Sequence, residues 1–359
     1  MTYMLRHLDI DITNKCNWEC IHCSARGGSH VKVQELTKEE IKSILNQAKE
    51  LGVEDIGFTG GEPLLRIKDL LYFLEYCKEE LGVKTHLLTN GSLIEKNQRS
   101  IEKIILYADR IRVTILGYKE THDRLTRNKG AFDSLIKGIS ILQDLNANFR
   151  IAFVPMKSNY KELPTLVEML YQKYKFDKFR LLDLAPTGRA MEIWDEIALD
   201  INEKIWLEKE LKNMVVKYPI EIGIGFHTGL SFSTLSKLEG HEICRSGIDR
   251  CHVNAKGDIF PCTASTGQPN LSGGNLREFN MDLKYLWKSS PIFQLLRYLR
   301  EHPPFPCNSC KEYSLCMGGC KVEINFMYGE IAKPNPNCEI VKSLYASLEN
   351  PLKEALEGE

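Results

Sequence analysis

The sequence predicts an α/β fold, a partial (β/α)6 barrel of the TIM type followed by a small cysteine-rich region. Three observations carry this. Short β-branched runs alternate with longer amphipathic segments from residue 6 to about 225. Their repeat of about 30 residues is the size of one βα unit and calls for a parallel sheet. Past residue 225 the periodic pattern thins, and glycine, proline and cysteine take over. Six strands are too few to close an eight-stranded barrel, so the chemistry belongs at the C-terminal ends of the strands of an open one.

His7 to Thr13 alternates as the first strand. Thr37-Lys38-Glu39-Glu40 reads as a capping box that opens a helix, with Gly52 at its C-cap. Val53 to Thr59, Lys84 to Thr89, Arg110 to Leu116, Asn148 to Val154 and Lys178 to Leu184 read as the remaining strands. Amphipathic segments near 66–82, 94–107, 130–145 and 160–174 supply helices between them. A hairpin is expected over Asp249 to Pro261, turning at Lys256-Gly257-Asp258. Segment 282–301 reads as one helix, and 307–338 is too irregular to stay folded without metal or disulfide staples. The expected division is 1–230 for the barrel and 231–359 for the cysteine-rich domain.

The chain has 359 residues and a formal net charge of −1, so nothing electrostatic draws it to nucleic acid or to an anionic membrane. No run approaches the roughly 18 apolar residues of a membrane span. Met1 to Asn14 carries Asp9 and Asp11 and does not read as a signal peptide. A cytoplasmic location follows as an expectation. In that reducing setting twelve cysteines read first as metal ligands. Cys16, Cys20 and Cys23 crowd the N-terminus, Cys77 stands alone, and eight more lie between Cys244 and Cys338.

Cys16-x3-Cys20-x2-Cys23 follows the first strand directly. Three thiolates can hold a [4Fe–4S] cluster and leave one iron open, and on spacing alone a zinc site or a group of buried thiols stays possible. Gly60-Gly61-Glu62-Pro63 ends the second strand and Thr89-Asn90-Gly91 the third. With these motifs in this order the chain resembles the radical S-adenosylmethionine (SAM) superfamily. The resemblance implies that SAM chelates the open iron through its amino and carboxylate groups, and that Gly60, Gly61, Glu62 and Pro63 meet the amino group. It also places Asn90, Thr114, Asn159 and Leu184 near the methionine and nucleoside ends, with His22 packed beside SAM.

The C-terminal pattern is Cys244-x12-Gly257-x4-Cys262, then Cys307-x2-Cys310-x5-Cys316-x3-Cys320, then Cys338. Zinc can use such C-x2-C pairs as well as iron. The whole pattern resembles the seven-cysteine SPASM extension of some radical SAM enzymes, and Cys251 adds an eighth thiol. The resemblance implies two auxiliary clusters, one on Cys244, Cys251, Cys262 and Cys320, the other on Cys307, Cys310, Cys316 and Cys338. That makes three [4Fe–4S] clusters in all. Cys77, on the apolar pattern of Leu70, Leu71, Phe73, Leu74 and Leu81, remains as a core thiol.

The chemistry implied is reductive cleavage of SAM and hydrogen abstraction by a 5′-deoxyadenosyl radical. Two auxiliary clusters fully ligated by cysteine would act as an electron path and favour a net oxidation. By family analogy the expected substrate is a peptide or protein, above all a ribosomally made peptide receiving a crosslink, thioether or oxidation. Val113 to Gly117 followed by His122-Asp123 resembles a stretch of such maturases. Fifteen residues precede Cys16, so the expectation includes a separate leader-recognition protein or a leaderless substrate. The expected electron donor is a flavodoxin or ferredoxin. Thr263 stands where sulfatase-type maturases place an acid, which counts against that activity. A small molecule or tetrapyrrole is the alternative substrate, and an iron–sulfur electron carrier or zinc-stapled module the non-enzymatic alternative. Asp183, at a strand end, is the candidate general base, with a salt bridge to Arg180 or Arg189 as its other reading; His227 and His252 carry no assignment.

Overall fold

The computed structural model describes residues 3–224, 244–338 and 340–343. The expected division at 230/231 and His227 lie outside the described residues. Within them one mixed sheet runs in the order β7-β6-β5-β4-β3-β2-β1-β8-β9. Its strands are β1 (His7–Thr13), β2 (Asp55–Gly60), β3 (Lys84–Thr89), β4 (Arg110–Ile115), β5 (Phe149–Phe153), β6 (Lys178–Leu181), β7 (Glu221–Ile224), β8 (Arg250–Val253) and β9 (Ile259–Phe260). All neighbours pair parallel except β8 and β9, which form the expected hairpin.

Helices α1 (Lys38–Glu50), α2 (Ile67–Glu79), α3 (Gln98–Tyr107), α4 (Lys119–Thr126), α5 (Ala131–Asp144) and α6 (Leu163–Tyr174) connect the first six strands. Thr37 opens α1 with both halves of the capping box: its Oγ1 accepts from Glu40 N, and Glu40 Oε2 accepts from Thr37 N. Alternation then decides which face each strand buries. Leu8, Ile10 and Ile12 of β1, Ile56 and Phe58 of β2, and Ile111, Val113 and Ile115 of β4 point outward. They join Ile41, Ile44, Phe73, Leu74, Ile104, Leu135 and Ile139 of the helices in one core. Each such side chain contributes roughly 1.5–3 kcal/mol on burial.

Three features depart from the sequence reading. A seventh parallel strand, β7, extends the barrel edge; its four residues are too short to show a period. The C-terminal hairpin extends the barrel sheet, because β8 pairs parallel with β1, His7 opposite Arg250 and Ile10 opposite Val253. Segment 282–301 splits into helices Leu283–Ser289 and Pro291–Glu301. Pro291 forces Ser290 into an extended conformation (φ −60°, ψ 129°) and cannot donate its own N–H. Among the described residues no helix is long and apolar enough to cross a membrane.

Candidate active site

The loop after β1 carries Cys16, Cys20 and Cys23 and is held from two sides. Glu19 N and Ile21 N donate to Thr126 O and Leu125 O at the end of α4. From the turn after β6, Arg189 donates through Nε to Cys20 O (2.7 Å), through Nη1 to Gly27 O (2.9 Å) and through its backbone N to Cys23 O (3.0 Å). All three cysteines line one cavity of about 1190 Å³. Burial, aided by the neighbouring thiols, pushes Cys16 up to about 12 and Cys20 well above its ordinary value. Three thiols gathered where ionisation is costly fit a positively charged iron cluster, which deprotonates the thiols it binds.

The glycines of the second motif are required by this loop. Gly60 sits at φ +131°, and a Cβ there would lie 2.2 Å from Thr13 O. A Cβ on Gly61 would lie 2.0 Å from Lys15 O. The close approach lets Gly61 N donate to Thr13 O and Glu62 N to Lys15 O, both at 2.8 Å. Glu62 is fully buried behind them and outside the cavity lining. Its Oε1 accepts from Leu64 N (3.0 Å) and Thr89 Oγ1 (2.7 Å), its Oε2 from Asn90 N (2.8 Å). Pro63 is buried at the start of a 3-10 turn. The structure therefore brings Gly60 and Gly61 to the cavity and withdraws Glu62 and Pro63 as a brace between β2 and β3.

Asn90 lines the cavity, with Nδ2 donating to Asn17 Oδ1 at 2.9 Å and lying 3.9 Å from Cys16 Sγ. Thr114, Leu184 and His22 line it too. Burial, with the Arg189 charge nearby, lowers His22 to about 4, so its ring is neutral. Asn159 does not reach the cavity. It accepts from Met156 N (2.6 Å) and donates to Leu116 O and Val154 O (3.0 Å each), tying β4 to β5 with every polar atom spent. His122 and Asp123 are likewise structural: His122 Nδ1 accepts from Leu116 N, and Asp123 caps the turn into α5 through Gly130 N and Phe132 N.

Cys244, Cys262 and Cys320 line the same cavity, and the latter two are pushed up by burial first and then by nearby thiols of the set. Cys307, Cys310, Cys316 and Cys338 form another group, in which burial and the other three raise Cys307 to about 11. Cys251 does not join the inner set. It stands opposite Leu8 in the β1–β8 register, on the outer, core-facing side, while its neighbours Arg250 and His252 line the cavity. One residue of parity turns a thiol to the other face of the sheet. The expected fourth ligand and the full cysteine ligation built on it are thereby corrected. Cys77 is a fully buried core thiol, raised to about 12 by burial. Among the described residues no three His, Cys, Asp or Glu side chains are gathered tightly enough for a single metal ion.

Asp183 lines the cavity. Burial raises it well above the carboxylate range; Lys204 opposes this and Glu323 adds to it. Arg189 is committed to the cysteine loop rather than to Asp183. Missed in the sequence was the charged barrel interior. His7, Asp9 and Asp11 of β1, Asp55, His86, Arg110, Arg112, Arg150, Arg180, Arg250 and His252 all line the cavity. His86 bridges Asp9 (3.3 Å) and Asp55 (2.9 Å), and His252 faces Asp11 at 3.3 Å. Thr263, next to Cys262, donates to Asp9 Oδ2 at 3.3 Å. The signal was legible: parallel strands are ordinarily apolar on both faces, yet His-x-Asp-x-Asp and Arg-x-Arg alternate on β1 and β4.

Comparison with known proteins gives this cavity its setting. Residues 10–170 match the family model of the radical SAM superfamily, and 244–311 match the SPASM model, an iron–sulfur cluster-binding domain. The AdoMet-dependent heme synthase of Methanosarcina barkeri is 28% identical over 94% of this chain and 97% of its own length. Mycofactocin maturase MftC of Mycolicibacterium smegmatis is 26% identical over 91% of this chain and 81% of its own. In fold the chain matches Streptococcus suis SuiB bound to precursor peptide SuiA, with a TM-score of 0.73 and 23% identity over 94% of this chain and 76% of SuiB. SAM and iron–sulfur clusters are the groups these domains bind. The chain is a radical SAM superfamily enzyme with a C-terminal SPASM iron–sulfur domain.

Proposed function

We propose that Cys16, Cys20 and Cys23 hold the SAM-binding [4Fe–4S] cluster and that the SPASM cysteines hold two auxiliary clusters, in domains 1–230 and 231–359. Cys244, Cys262 and Cys320 hold the inner one with a fourth donor other than Cys251; Cys307, Cys310, Cys316 and Cys338 hold the outer one. SAM bound at the first cluster supplies, on one-electron reduction, a 5′-deoxyadenosyl radical that takes hydrogen from an unactivated carbon. Gly60 and Gly61 set the backbone edge beside it, Asn90 orients its end near Cys16, and Thr114, Leu184 and neutral His22 form the walls. Asp183, raised above the carboxylate range by burial, lines the cavity where it is placed to exchange a proton with substrate.

The observation that carries this reading is the single cavity reaching from the first cysteine loop to Cys244, Cys262 and Cys320. A ribosomally made peptide is the substrate we propose, supported by the maturase likeness. A second reading, a tetrapyrrole, is supported by the heme synthase and an Fe-coproporphyrin III synthase among the relatives and by the cationic barrel interior. A flavodoxin or ferredoxin is the proposed reductant, a separate leader-binding protein a proposed partner, and the cytoplasm the proposed location. The test is anaerobic reconstitution followed by SAM and dithionite. About twelve irons per chain and release of 5′-deoxyadenosine are expected; zinc in place of iron, or a loaded protein that leaves SAM intact, overturns the reading.

A further inference from the structure

Cys316 and Cys320 are neighbours in the C-terminal motif but belong to different sets, the outer and the inner. Between them Met317, Gly318 and Gly319 all take positive φ (51°, 76° and 84°), and this turn carries the chain from one set to the other. The helix Lys321–Tyr328 starts directly after Cys320. Its first residue, Lys321, lines the cavity with Cys244, Cys262 and Cys320. A Cβ built on Gly318 would lie 3.3 Å from Lys321 Nζ and 3.9 Å from Cys307 Sγ, so the ammonium and an outer thiol flank one point of the turn. Burial lowers Lys321 below the ordinary lysine range, and the charges that oppose this most are Cys244, Cys307, Cys320 and Cys316, two from each set. Glu323, in the same helical turn, accepts from Asn335 Nδ2 (2.8 Å) and Asn337 Nδ2 (2.6 Å). A cation at the first residue of a helix stands against the helix dipole, so its place is one that neighbouring anions must favour.

We propose that Lys321 is a cation shared by the two auxiliary clusters, a positioning residue whose charge sets the reduction potentials of both. This rests on the cluster assignment proposed above and adds the residue that couples the two groups. An iron–sulfur cluster held by three or four thiolates is a net anion, and reduction by one electron makes it more so. Net charge close to a cluster is one of the levers on its potential. A single ammonium between two such anions lowers the cost of reducing either, and it acts most strongly where water is excluded. The lever is the charge rather than the lysine shape, so another cation in its place should serve and a neutral side chain should not.

The test is an EPR-monitored redox titration of the anaerobically reconstituted holoenzyme, with iron counted on each preparation. In Lys321→Met both auxiliary midpoints should shift to lower potential, while the midpoint of the SAM-binding cluster stays in place. Lys321→Arg, which keeps the charge, should bring both back toward the unsubstituted values. A merely structural side chain would not move two potentials together in one direction. Should Lys321→Met fall short by about eight irons while Lys321→Arg loads fully, the same dependence on charge is read from assembly and supports the shared cation. Unmoved midpoints, a shift or an iron loss confined to one auxiliary cluster, or a change that Lys321→Arg shares in full overturns it. The unsubstituted protein separates the two levels of the argument. If it carries no auxiliary iron, the cluster assignment itself falls; if it carries all three clusters and the variants leave their midpoints alone, only the role of Lys321 falls.

Discussion

Arg189 Nε donates to Cys20 O at 2.7 Å, so the turn after β6 clasps the cysteine loop that follows β1. The same guanidinium reaches Gly27 O, while its Nη2 is buried without a partner. Loop and turn are far apart in sequence, and the side chain joins them without itself bearing a metal ligand.

Removing the clasp should loosen the first cluster and spare the others. In Arg189→Ala the loop loses two side-chain hydrogen bonds, each to a charged donor and each contributing roughly 1.5–3 kcal/mol. Iron retained by the reconstituted variant should fall by about one cluster, or four irons. Arg189→Lys, which keeps the charge but loses the fork, should show a partial loss. Full iron in Arg189→Ala with an unaltered first-cluster EPR signal would refute the role.

Cys251 and Cys262 should separate cleanly. Cys251→Ala changes a core thiol on the outer face of β8 and should keep all iron, with a modest fall in Tm from the small cavity. Cys262→Ala, by contrast, should lose about four irons. Equal losses in both would return Cys251 to the ligand set.

The His86 bridge predicts a particular pH dependence. Burial opposes charging the ring, yet hydrogen bonds to Asp55 and Asp9 hold it above its ordinary value. Its contribution to stability is therefore complete below about 6.5 and is lost as pH rises through the higher folded value. Despite burial, Asp9 is held below the usual carboxylate range by His86, and Asp55 by His7 and then His86. Their contribution is present above about 3.9 and is lost in acid. Denaturant midpoints should decline from pH 6.5 toward pH 9, and His86→Asn should flatten that decline; an unchanged slope in the variant argues against the bridge.

Asn159 and Asn90 were expected in similar roles, and the structure divides them. Asn159→Ala should cost about 2–4 kcal/mol through three buried hydrogen bonds, read as a lower Tm, while SAM affinity per folded molecule holds. Asn90→Ala should weaken SAM binding severalfold with a smaller change in Tm. The reverse pattern, measured by calorimetry, would restore Asn159 to the cofactor site.

What the sequence made legible was local or periodic. The six strands, the Thr37 cap, the hairpin after Asp249 and the core position of Cys77 each follow from spacing that neighbouring residues enforce. The face of Cys251 did not, because a C-terminal strand changes which side it shows with its partner's register, and that partner, β1, lies far upstream. Ser290 and Pro291 did carry a break signal, which the apolar pattern of 282–301 overrode. Asn159 looked like a cofactor contact because sequence cannot show that its amide is already spent on Leu116 and Val154. The arginines were visible as an alternation, but only the curved sheet shows that they converge.

The parallel pairing of β1 with β8 also sets an order of assembly. β1 is complete at Thr13, whereas the strand that covers its outer edge ends at Val253. At about 5–20 residues per second, roughly 12–50 s of synthesis separate the two. During that interval a growing chain presents an unpaired strand edge bearing Leu8 and Ile10, a template for pairing with another chain. Long-range closure of this kind slows folding, so expression at low temperature with ample chaperone should raise the yield of native protein more than changes to the cysteine-rich segment do.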